Sequence, residues 1–356
     1  MKELINVYVV PPGKSQLDGN FFKDSKEGVQ ATWAFIKEYC EQQGVILDTI
    51  DRWQPSARKD VVLVIDHPSQ DLLHKTIYSI RLLRHIFLKK PFFKIRYYGF
   101  NKFLKKFSKR VLFQFEPPVV MPYVYKNLPR LKKVYNQIYL TIQIEEFNYF
   151  HMPQTFNAPV EPFFSNKDRG GIVMMNSNKR PLKFKNELYG ERLKAIKYFS
   201  EHGGIDLYGA FWDRLIFSPY TLYKKYVKAS YKGFVDNKLQ AMSKYKFAIC
   251  FENEIAQGWI TEKIFDCFLV GTVPVYYGAT NITDYIPANC FIDFRDFKDY
   301  DALKEYLDKM TSADLEEYRK NVTAFYKSGK SDVFHRENLA KKIIRAVTNK
   351  ERPQHA

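Results

Sequence analysis

Cysteine is scarce in this sequence, and the few cysteines do not form the motifs in which they usually bind metals. The 356 residues include four cysteines, and no two are spaced as C-x-x-C: Cys40, Cys250, Cys267 and Cys290. This pattern does not predict a disulfide framework. It is typical of proteins from a reducing compartment.

Long apolar runs are also missing. The first segment, MKELINVYVVPPGK, has a short apolar stretch that ends at Pro11 and Pro12. It is too short for the hydrophobic part of a signal peptide or for a membrane span. We therefore expect a cytoplasmic protein, in which the N-x-T sequons at Asn281 and Asn321 are not glycosylated.

Acidic residues are outnumbered by basic ones. The chain has 56 Lys and Arg against 39 Asp and Glu, which gives a net charge of +17. A positive surface favours anionic partners, which include nucleic acid, phospholipid and a diphosphate-linked sugar donor. The sequence lacks RNP, KH, zinc-finger and helix-turn-helix signatures, so nucleic acid is the least favoured of the three.

Part of the positive charge is concentrated in an aromatic segment, Lys89–Arg110, which we call the basic belt. It carries nine Lys or Arg and no acidic residue, interleaved with Phe and Tyr (KKPFFKIRYYGFNKFLKKFSKR). Such a pattern suits stacking on nucleic-acid bases or docking on anionic lipid, and it also occurs on ordinary basic surfaces above buried Phe side chains. We favour peripheral contact with the anionic inner surface of a membrane.

Short apolar strands alternate with amphipathic helices along the chain. This alternation predicts parallel sheets covered by helices on both faces, an α/β fold. The length exceeds what one core usually organises, so two domains are expected. The segment Thr155–Arg169, with two prolines and little periodicity, is predicted to link them. The predicted domains are 1–160 and 161–335, followed by a C-terminal helix and tail at 336–356.

The stretch Tyr245–Gly278 (YKFAICFENEIAQGWITEKIFDCFLVGTVPVYYG) is the most informative part of the sequence. A buried strand, FAICF, places Glu252 and Asn253 at its C-terminal end, where ligands bind in open α/β sheets. A loop then leads to Thr261, a good N-cap residue for the helix that follows. Polar side chains are thus expected to gather at one edge of a sheet.

The first turn of that helix carries Glu262 and Lys263. A helix N-terminus favours a bound phosphate, and the lysine ammonium adds a full charge there. Glu262 cannot hold phosphate, but its carboxylate can accept hydrogen bonds from the hydroxyls of a ribose. A TEK triplet also occurs at ordinary capped helix starts with a solvated lysine, so the triplet alone leaves both interpretations open.

The whole stretch resembles the donor-binding signature of the α-1,3/1,4-fucosyltransferases, glycosyltransferase family ten. That signature reads YKF-x-(I/L)-x-FEN(S/T), then a short loop ending in an aromatic residue, then TEK, and an apolar run that closes with (V/I)P(V/I) and Gly. This chain has these elements in order. It departs from the signature at Glu254, where the family has Ser or Thr, and at Trp259, where many members have Tyr.

The resemblance implies the GT-B architecture, in which two Rossmann-like domains face each other across a cleft. It also implies an inverting transfer of L-fucose from GDP-fucose to the 3-hydroxyl, or also the 4-hydroxyl, of N-acetylglucosamine in an N-acetyllactosamine-type glycan of a surface polysaccharide. The first domain then binds the acceptor and the second binds the donor. Two alternatives stay open: a GT-B enzyme that uses another nucleotide sugar, and a basic nucleic-acid-binding protein.

Arg192, in ELYGERLKAIKYF, stands where family members have the arginine that clamps the diphosphate. Its planar guanidinium can bind two phosphate oxygens at once. The alternatives are that Arg192 is a surface residue of an amphipathic helix, and that Lys179 or Arg180 binds the phosphate. On the resemblance, the full set of donor-binding residues is Arg192, Glu252, Asn253, Trp259, Glu262 and Lys263.

An inverting transfer needs a base that removes the proton from the acceptor hydroxyl. Family members use a Glu just after a strand of the first domain, and the segment VLFQFEPPVV makes Glu116 the matching residue. Other carboxylates and a histidine also follow predicted strands and remain alternatives. They are Glu145, Glu146, Asp66 and His67.

The resemblance does not imply a metal cofactor. The D-x-D sequence, Asp299–Asp301, stands at a predicted helix start, where Asp is favoured as a cap. Family members bind the donor without a metal, although manganese stimulates some. We therefore expect Lys263, Arg192 and the helix dipole to stabilise the leaving diphosphate.

Overall fold

The chain folds into two α/β units, which are described separately. The computed structural model describes residues 4–23, 28–55, 60–68, 97–154, 169–178, 184–213 and 222–348. One unit consists of Met1–Phe150 and Arg336–Ala356, and the other of His151–His335. The C-terminal helix, which the sequence analysis assigned to a segment of its own, lies in the first unit. The predicted linker, except Arg169, lies outside the described residues.

Each unit contains a six-stranded sheet whose strand pairings are parallel. In the first sheet the strands are β1 (Ile5–Val10), β2 (Val45–Thr49), β3 (Val61–Ile65), β4 (Lys109–Gln114), β5 (Gln137–Leu140) and β6 (Asn148–Tyr149). In the second they are β7 (Ile172–Met175), β8 (Asp206–Tyr208), β9 (Tyr231–Gly233), β10 (Phe247–Phe251), β11 (Val273–Tyr277) and β12 (Ile292–Asp293). The predicted α/β class is confirmed.

Helices connect the strands and cover the sheets. They are α1 (Gly28–Gln42), α2 (Tyr97–Leu104), α3 (Pro122–Lys126), α4 (Leu128–Leu131), α5 (Tyr189–Glu201), α6 (Lys224–Ser230), α7 (Lys238–Met242), α8 (Glu262–Val270), α9 (Tyr300–Lys309), α10 (Ser312–Lys327) and α11 (Arg336–Thr348). The last helix packs on α1, because Leu339 and Ile343 bury a helical stripe in the same apolar cluster as Trp33 and Ile36.

The order of the strands places one crevice at an edge of each sheet. The first sheet runs β2-β1-β3-β4-β5-β6, and the second runs β12-β11-β10-β7-β8-β9. The second sheet grows outward from β7 through β8 to β9 and then returns to add β10, β11 and β12 on the other side. Ligands of open α/β sheets bind beside such a reversal, at the carboxyl ends of the strands. In this unit the position lies between β7 and β10.

In the described part of the basic belt, two phenylalanines and three lysines differ in their exposure to solvent. Phe103 and Phe107 are buried, whereas Lys102, Lys105 and Lys106 are exposed. Residues 89–96 of the belt lie outside the described ranges. Phe103 and Phe107 therefore pack in the first unit, and Lys102, Lys105 and Lys106 face solvent, whereas Lys109 is buried. None of the helices within the described ranges is both long and apolar enough to cross a lipid bilayer.

Candidate active site

A buried carboxylate, Glu252, organises the carboxyl edge of the second sheet. It follows β10 directly and is 0% exposed. Its Oε1 accepts hydrogen bonds from the backbone N–H of Thr261 at 3.0 Å and from the Thr261 hydroxyl at 2.8 Å. Its Oε2 lies 2.8 Å from the Lys263 Nζ. An ionised carboxylate is stable in the interior only when it is paired in this way.

Thr261 has a different role from the one predicted. It immediately precedes α8 with an extended backbone, as an N-cap residue should, but its side chain makes no capping hydrogen bond. Instead, the hydroxyl donates to Glu252 and accepts from Lys263 Nζ at 2.8 Å. The interaction with the carboxylate of β10 replaces the expected cap, and it fixes the start of α8 to the end of the strand.

Lys263 is held close to full protonation and retains hydrogen-bonding capacity. Burial lowers the pKa of its ammonium, but the carboxylates of Glu252 and Glu262 outweigh that effect and raise the pKa overall. Two of its three N–H groups donate to Glu252 and Thr261, and the third has no partner among the residues described. The side chain is 15% exposed, so this ammonium can offer one donor to a ligand.

Arg192 is not a surface residue, so that alternative is wrong. It lies on α5 and is 2% exposed. Its Nε and Nη2 donate to the carbonyl of Phe251 at 3.2 and 2.6 Å, and Nη2 also donates to Asn253 Oδ1 at 2.9 Å. Within the described part of the chain Nη1 has no hydrogen-bond partner. Burial lowers the pKa of the guanidinium from its ordinary value, although nearby groups such as Tyr189 and Glu252 oppose the shift.

A short backbone pairing, which the sequence analysis missed, joins the Arg192 helix to the loop after β10. Glu187 and Glu254 form an antiparallel bridge. The N–H of Leu188 donates to the carbonyl of Asn253 at 2.9 Å, and the N–H of Ile255 donates to the carbonyl of Asn186 at 2.8 Å. Glu254 is buried beside this bridge. A pairing as short as this has no sequence periodicity, so no sequence signal could have revealed it.

Gly278 follows β11 at the same edge, where there is no room for a side chain. A Cβ at this position would lie 2.6 Å from Glu252 Cγ and 2.5 Å from the Tyr276 hydroxyl. The backbone N–H of Glu252 donates to the carbonyl of Tyr277 at 2.8 Å. A glycine is therefore required at position 278, because the buried side chain of Glu252 fills the space that a Cβ would need.

Trp259 and Glu262 border this cluster. The Trp259 side chain is 2% exposed, and its Nε1 has no hydrogen-bond partner in the described ranges. Glu262 is half-buried in the first turn of α8. Burial raises the pKa of its carboxyl, but Lys263 and Lys238 lower it by more, so the pKa lies below its usual value. Lys238 is itself paired with Asp266 at 2.5 Å.

The second unit thus brings most of the predicted donor residues together. Arg192 is hydrogen-bonded to Asn253 and to the carbonyl of Phe251, and Lys263 is hydrogen-bonded to Glu252, so the two pairs meet where the chain leaves β10. The rival phosphate ligands predicted from sequence, Lys179 and Arg180, lie outside the described residues.

Glu116 lies in the first unit, two residues beyond the end of β4, and is half-buried. Its N–H donates to Asp66 Oδ1 at 2.9 Å, and its carbonyl accepts from the Tyr125 hydroxyl and from Gln114 Nε2, both at 3.1 Å. The backbone of Glu116 is therefore held from both sides at the carboxyl edge of the first sheet.

The predicted alternatives to Glu116 occupy different environments. Glu145 and Glu146 are exposed, and a hydrogen bond from Lys132 lowers the pKa of Glu146. His67 is buried with its Nδ1 2.6 Å from the Tyr135 hydroxyl, and burial lowers the pKa of its imidazole to about 4. Asp66 Oδ1 accepts hydrogen bonds from the backbone N–H groups of Phe115 and Glu116.

The D-x-D sequence serves the start of a helix. Asp299 caps α9 by accepting a hydrogen bond from the N–H of Ala302 at 2.9 Å, and Asp301 accepts one from the Tyr198 hydroxyl at 2.6 Å. Within the described ranges, His, Cys, Asp and Glu side chains form no group of three or more that could hold a metal ion.

Sequence comparisons identify relatives of the second unit. Residues 166–339 match the model of the glycosyltransferase family 10 (fucosyltransferase) C-terminal domain. The α-(1,3)-fucosyltransferase FucT of Helicobacter pylori is 37% identical over 73 residues, which are 20% of this chain and 15% of that enzyme. The α-(1,3)-fucosyltransferase B of Drosophila melanogaster is 35% identical over 116 residues, which are 32% of this chain and 25% of that enzyme.

A mouse enzyme, 4-galactosyl-N-acetylglucosaminide 3-α-L-fucosyltransferase 9, is 42% identical over 73 residues, which are 20% of each chain. The alignments with these three curated relatives span a quarter or less of each relative's own length. Each of them relates only a part of this chain to a fucosyltransferase.

Solved structures resemble the whole chain. A crystal structure of an α-1,3-fucosyltransferase with GDP covers 94% of this chain and 93% of its own, with a TM-score of 0.50 and 15% identity. An α-glucosyltransferase in complex with UDP and a 13-mer DNA covers 97% and 100%, with a TM-score of 0.54 and 11% identity. Likeness at such identity shows the fold, which is the GT-B fold of two parallel-sheet α/β domains.

Proposed function

We propose that this chain, whose residues 166–339 match the glycosyltransferase family 10 (fucosyltransferase) C-terminal domain, is an α-1,3-fucosyltransferase. It transfers L-fucose from GDP-fucose to the 3-hydroxyl of N-acetylglucosamine in an N-acetyllactosamine-type glycan. One observation carries the proposal: a lysine and an arginine with unused donors flank a buried glutamate at the reversal point of the second sheet. That is where α/β sheets bind nucleotides.

The diphosphate of the donor binds to Lys263 and Arg192. The third N–H of Lys263 and the Nη1 of Arg192 are donors that the described residues leave without a partner. The N-terminus of α8 contributes backbone dipoles at the same place. These groups stabilise negative charge on the departing GDP, so the positive charge needed for leaving-group departure is provided by the protein.

The ribose of the donor binds to Glu262. Lys263 and Lys238 keep the pKa of this carboxyl low against the effect of its burial, so the group is ionised at neutral pH. An ionised carboxylate has only acceptors, and the two hydroxyls of a ribose are donors that match it. The lowered pKa thus supports a role in donor binding rather than in proton transfer.

Glu116 acts as the base in a single inverting displacement. The acceptor hydroxyl oxygen forms a bond to fucose C1 while the bond from C1 to the β-phosphate oxygen breaks. GDP departs with that electron pair, and the proton of the acceptor hydroxyl passes to the Glu116 carboxylate. The backbone of Glu116, pinned at its N–H and its carbonyl, supports this assignment because a base must be held in place.

The acceptor assignment is supported by the name of the mouse relative, a 4-galactosyl-N-acetylglucosaminide 3-α-L-fucosyltransferase. An α-(1,4)-fucosyltransferase of Arabidopsis thaliana, 37% identical over 70 residues, makes the 4-hydroxyl the second position to test. Transfer from GDP-fucose to lactosamine, to lacto-N-biose and to their sialylated forms measures both positions. Preference for GDP-mannose or for a uridine donor over GDP-fucose would contradict the donor assignment.

The transfer requires no metal ion, with manganese at most stimulatory. Two cationic side chains and a helix N-terminus already face the proposed diphosphate position, which supports this statement. We expect full activity in excess EDTA. Loss of transfer on chelation, followed by recovery with manganese, would make a metal essential.

The enzyme works in the cytoplasm, in peripheral contact with an anionic membrane surface on which glycans of a surface polysaccharide are assembled. The exposed Lys102, Lys105 and Lys106 support this localisation. Because Phe103 and Phe107 are buried, the contact is electrostatic and does not rely on inserting these rings into lipid.

A further inference from the structure

The end of β3 and the residues after β4 are neighbours at the carboxyl edge of the first sheet. The register pairs Ile65 with Phe113, and the N–H of Asp66 donates to the carbonyl of Phe113 at 3.0 Å. Asp66 therefore stands beside the point where the chain leaves β4 and runs to Glu116. Its side chain is half-buried in this position.

One oxygen of Asp66 gathers the segment that leads to Glu116. Oδ1 accepts from the N–H of Phe115 at 2.7 Å, from the N–H of Glu116 at 2.9 Å and from Gln114 Nε2 at 2.9 Å. Hydrogen bonds to an ionised carboxylate are the stronger kind, and three on one oxygen define the path of the backbone. This oxygen is therefore committed to holding the chain and is poorly placed to receive a proton from a substrate.

The side chain of Gln114 is hydrogen-bonded to both Asp66 and Glu116. It is fully buried, and Nε2 donates both to Asp66 Oδ1 and to the carbonyl of Glu116 at 3.1 Å. Its Oε1 accepts from the N–H of His67 at 3.0 Å. The amide thus ties the chain that leaves β3 to the chain that leaves β4.

The backbone of Asp66 is also unusual. Its φ is +56°, in the left-handed region that most side chains avoid and that Asp and Asn tolerate best after Gly. This conformation occurs directly after β3, and the carboxylate accepts its hydrogen bonds from the chain at the end of β4. Residues with a strained backbone cluster at active sites, and this one has a carboxylate oxygen with three hydrogen bonds beside the proposed base.

We propose that Asp66 is the positioning residue of Glu116: it holds the backbone of the base so that the base carboxylate meets the acceptor hydroxyl. This inference rests on the proposed function of Glu116. Asp66 and Glu116, which are alternative bases on the sequence alone, thus receive different roles. Glu116 is the base, and Asp66 holds it in position.

Two substitutions separate the hydrogen bonds of Asp66 from its backbone conformation. Asp66→Gly keeps the left-handed backbone accessible but removes the acceptor, and Asp66→Asn keeps both the backbone preference and an acceptor oxygen. We expect Asp66→Gly to lower kcat about 10- to 100-fold, the range for a misplaced catalytic group, with the KM for GDP-fucose close to wild type. Asp66→Asn should recover much of this loss.

A double-mutant cycle tests whether Asp66 acts through Glu116. In the Glu116→Gln background the base is already lost, so Asp66→Gly should add no more than about a twofold further decrease in kcat. The same decrease in both backgrounds would overturn the inference, because Asp66 would then have an independent role. No loss in Asp66→Gly alone would also overturn it.

Hydrogen exchange distinguishes failure of this inference from failure of the proposed function. Asp66→Gly should lose amide protection at Phe115 and Glu116 while the strands of the first sheet stay protected, and unchanged protection at both amides would overturn the positioning role. If Glu116→Gln has wild-type kcat, Glu116 is not the base. That result overturns the catalytic half of the inference, while exchange still decides whether Asp66 holds the segment.

Discussion

At the scale of single residues, the buried pair of Glu252 and Lys263 calls for a double variant to test diphosphate binding, because a single substitution would also affect stability. Removing Lys263 alone leaves the buried Glu252 side chain without its cationic partner, and breaking a buried ion pair in this way should cost about 3–5 kcal/mol of the free energy of unfolding. The double variant Lys263→Met with Glu252→Gln removes both charges, and Gln can still accept from Thr261. We expect it to fold and to bind GDP at least about 30-fold more weakly, since a charged hydrogen bond contributes about 2–3 kcal/mol.

Calorimetry with GDP measures the affinity, and denaturant unfolding measures the stability. Lys194→Ala provides the control, because Lys194 is an exposed lysine on the same helix as Arg192 and pairs with Glu191 at the surface. Wild-type affinity in the double variant would show that the diphosphate binds elsewhere.

A second prediction at this scale concerns Glu116. A base assists only the transfer step, so Glu116→Gln should lower kcat by about 10²–10⁴-fold and leave the affinity for GDP-fucose near wild type. The amide has nearly the same shape as the carboxylate, and the hydrogen bonds that hold the backbone of Glu116 do not depend on which of the two is present, so we expect the fold to be retained.

Glu145→Gln and Glu146→Gln provide matched controls, because both residues also follow a strand of the first sheet but are exposed. Steady-state kinetics with a lactosamine acceptor is the measurement. A hundredfold loss in either control, with Glu116→Gln retaining more than about a tenth of wild-type kcat, would place the base elsewhere.

At the scale of secondary-structure elements, Gly278 shows how tightly the end of β11 fits against the end of β10. Gly278→Ala would put a methyl group against Glu252 and Tyr276, neither of which can move without breaking buried hydrogen bonds. We expect a loss of about 1–3 kcal/mol in the free energy of unfolding, as for other overpacked sites, together with weaker GDP binding.

The control for that substitution is Gly170→Ala. Gly170 lies just before β7 in the same unit, and a Cβ there meets nothing within 4 Å. It should therefore unfold at the wild-type denaturant concentration. Equal stability of the two variants would mean that the edge around Glu252 can open more easily than its contacts suggest.

The same elements show what the sequence could and could not predict. The bounds of β10, Phe247–Phe251, agree with the buried strand FAICF predicted from the sequence, because it is an apolar run between polar residues. The two-residue β6 and three-residue β9 were missed, since so few residues carry no pattern. Thr261 stands at the N-cap of α8 as predicted, but its side chain does not make the capping hydrogen bond, because its hydroxyl donates to Glu252 at the end of β10, a contact that local sequence does not reveal.

At the scale of the whole molecule, the two units differ in how well their functional residues could be predicted from the sequence alone. The family match at 166–339 covers nearly all of the second unit, and the donor residues lie within it. Glu116 lies outside that match, so its assignment depends on a strand end and a short motif. The hydrogen bonds of Asp66 link residues about fifty positions apart in the chain, and only the fold makes them neighbours.

The charge of the whole molecule leads to the last prediction, which concerns the basic belt. A net charge of +17 attracts the chain to any anionic surface, so a specific contact must be separated from general attraction. Changing Lys102, Lys105 and Lys106 to Glu reverses three exposed charges on or beside α2. Lys109 is left intact because it is buried and its reversal would disturb the fold. Each lysine near an anionic bilayer contributes about 1 kcal/mol, so binding to phosphatidylserine vesicles should fall by about 100-fold or more.

The matched control changes Lys298, Lys309 and Lys320 to Glu, since these are exposed lysines of the second unit and give the same net charge. It should bind the vesicles much more tightly than the belt variant. Both variants should transfer fucose to a soluble acceptor at the wild-type rate, because neither set contributes to the proposed site. Equal vesicle binding by the two would mean that net charge alone governs the contact. Loss of soluble-acceptor activity in the belt variant alone, with the fold retained, would instead assign these lysines to acceptor binding.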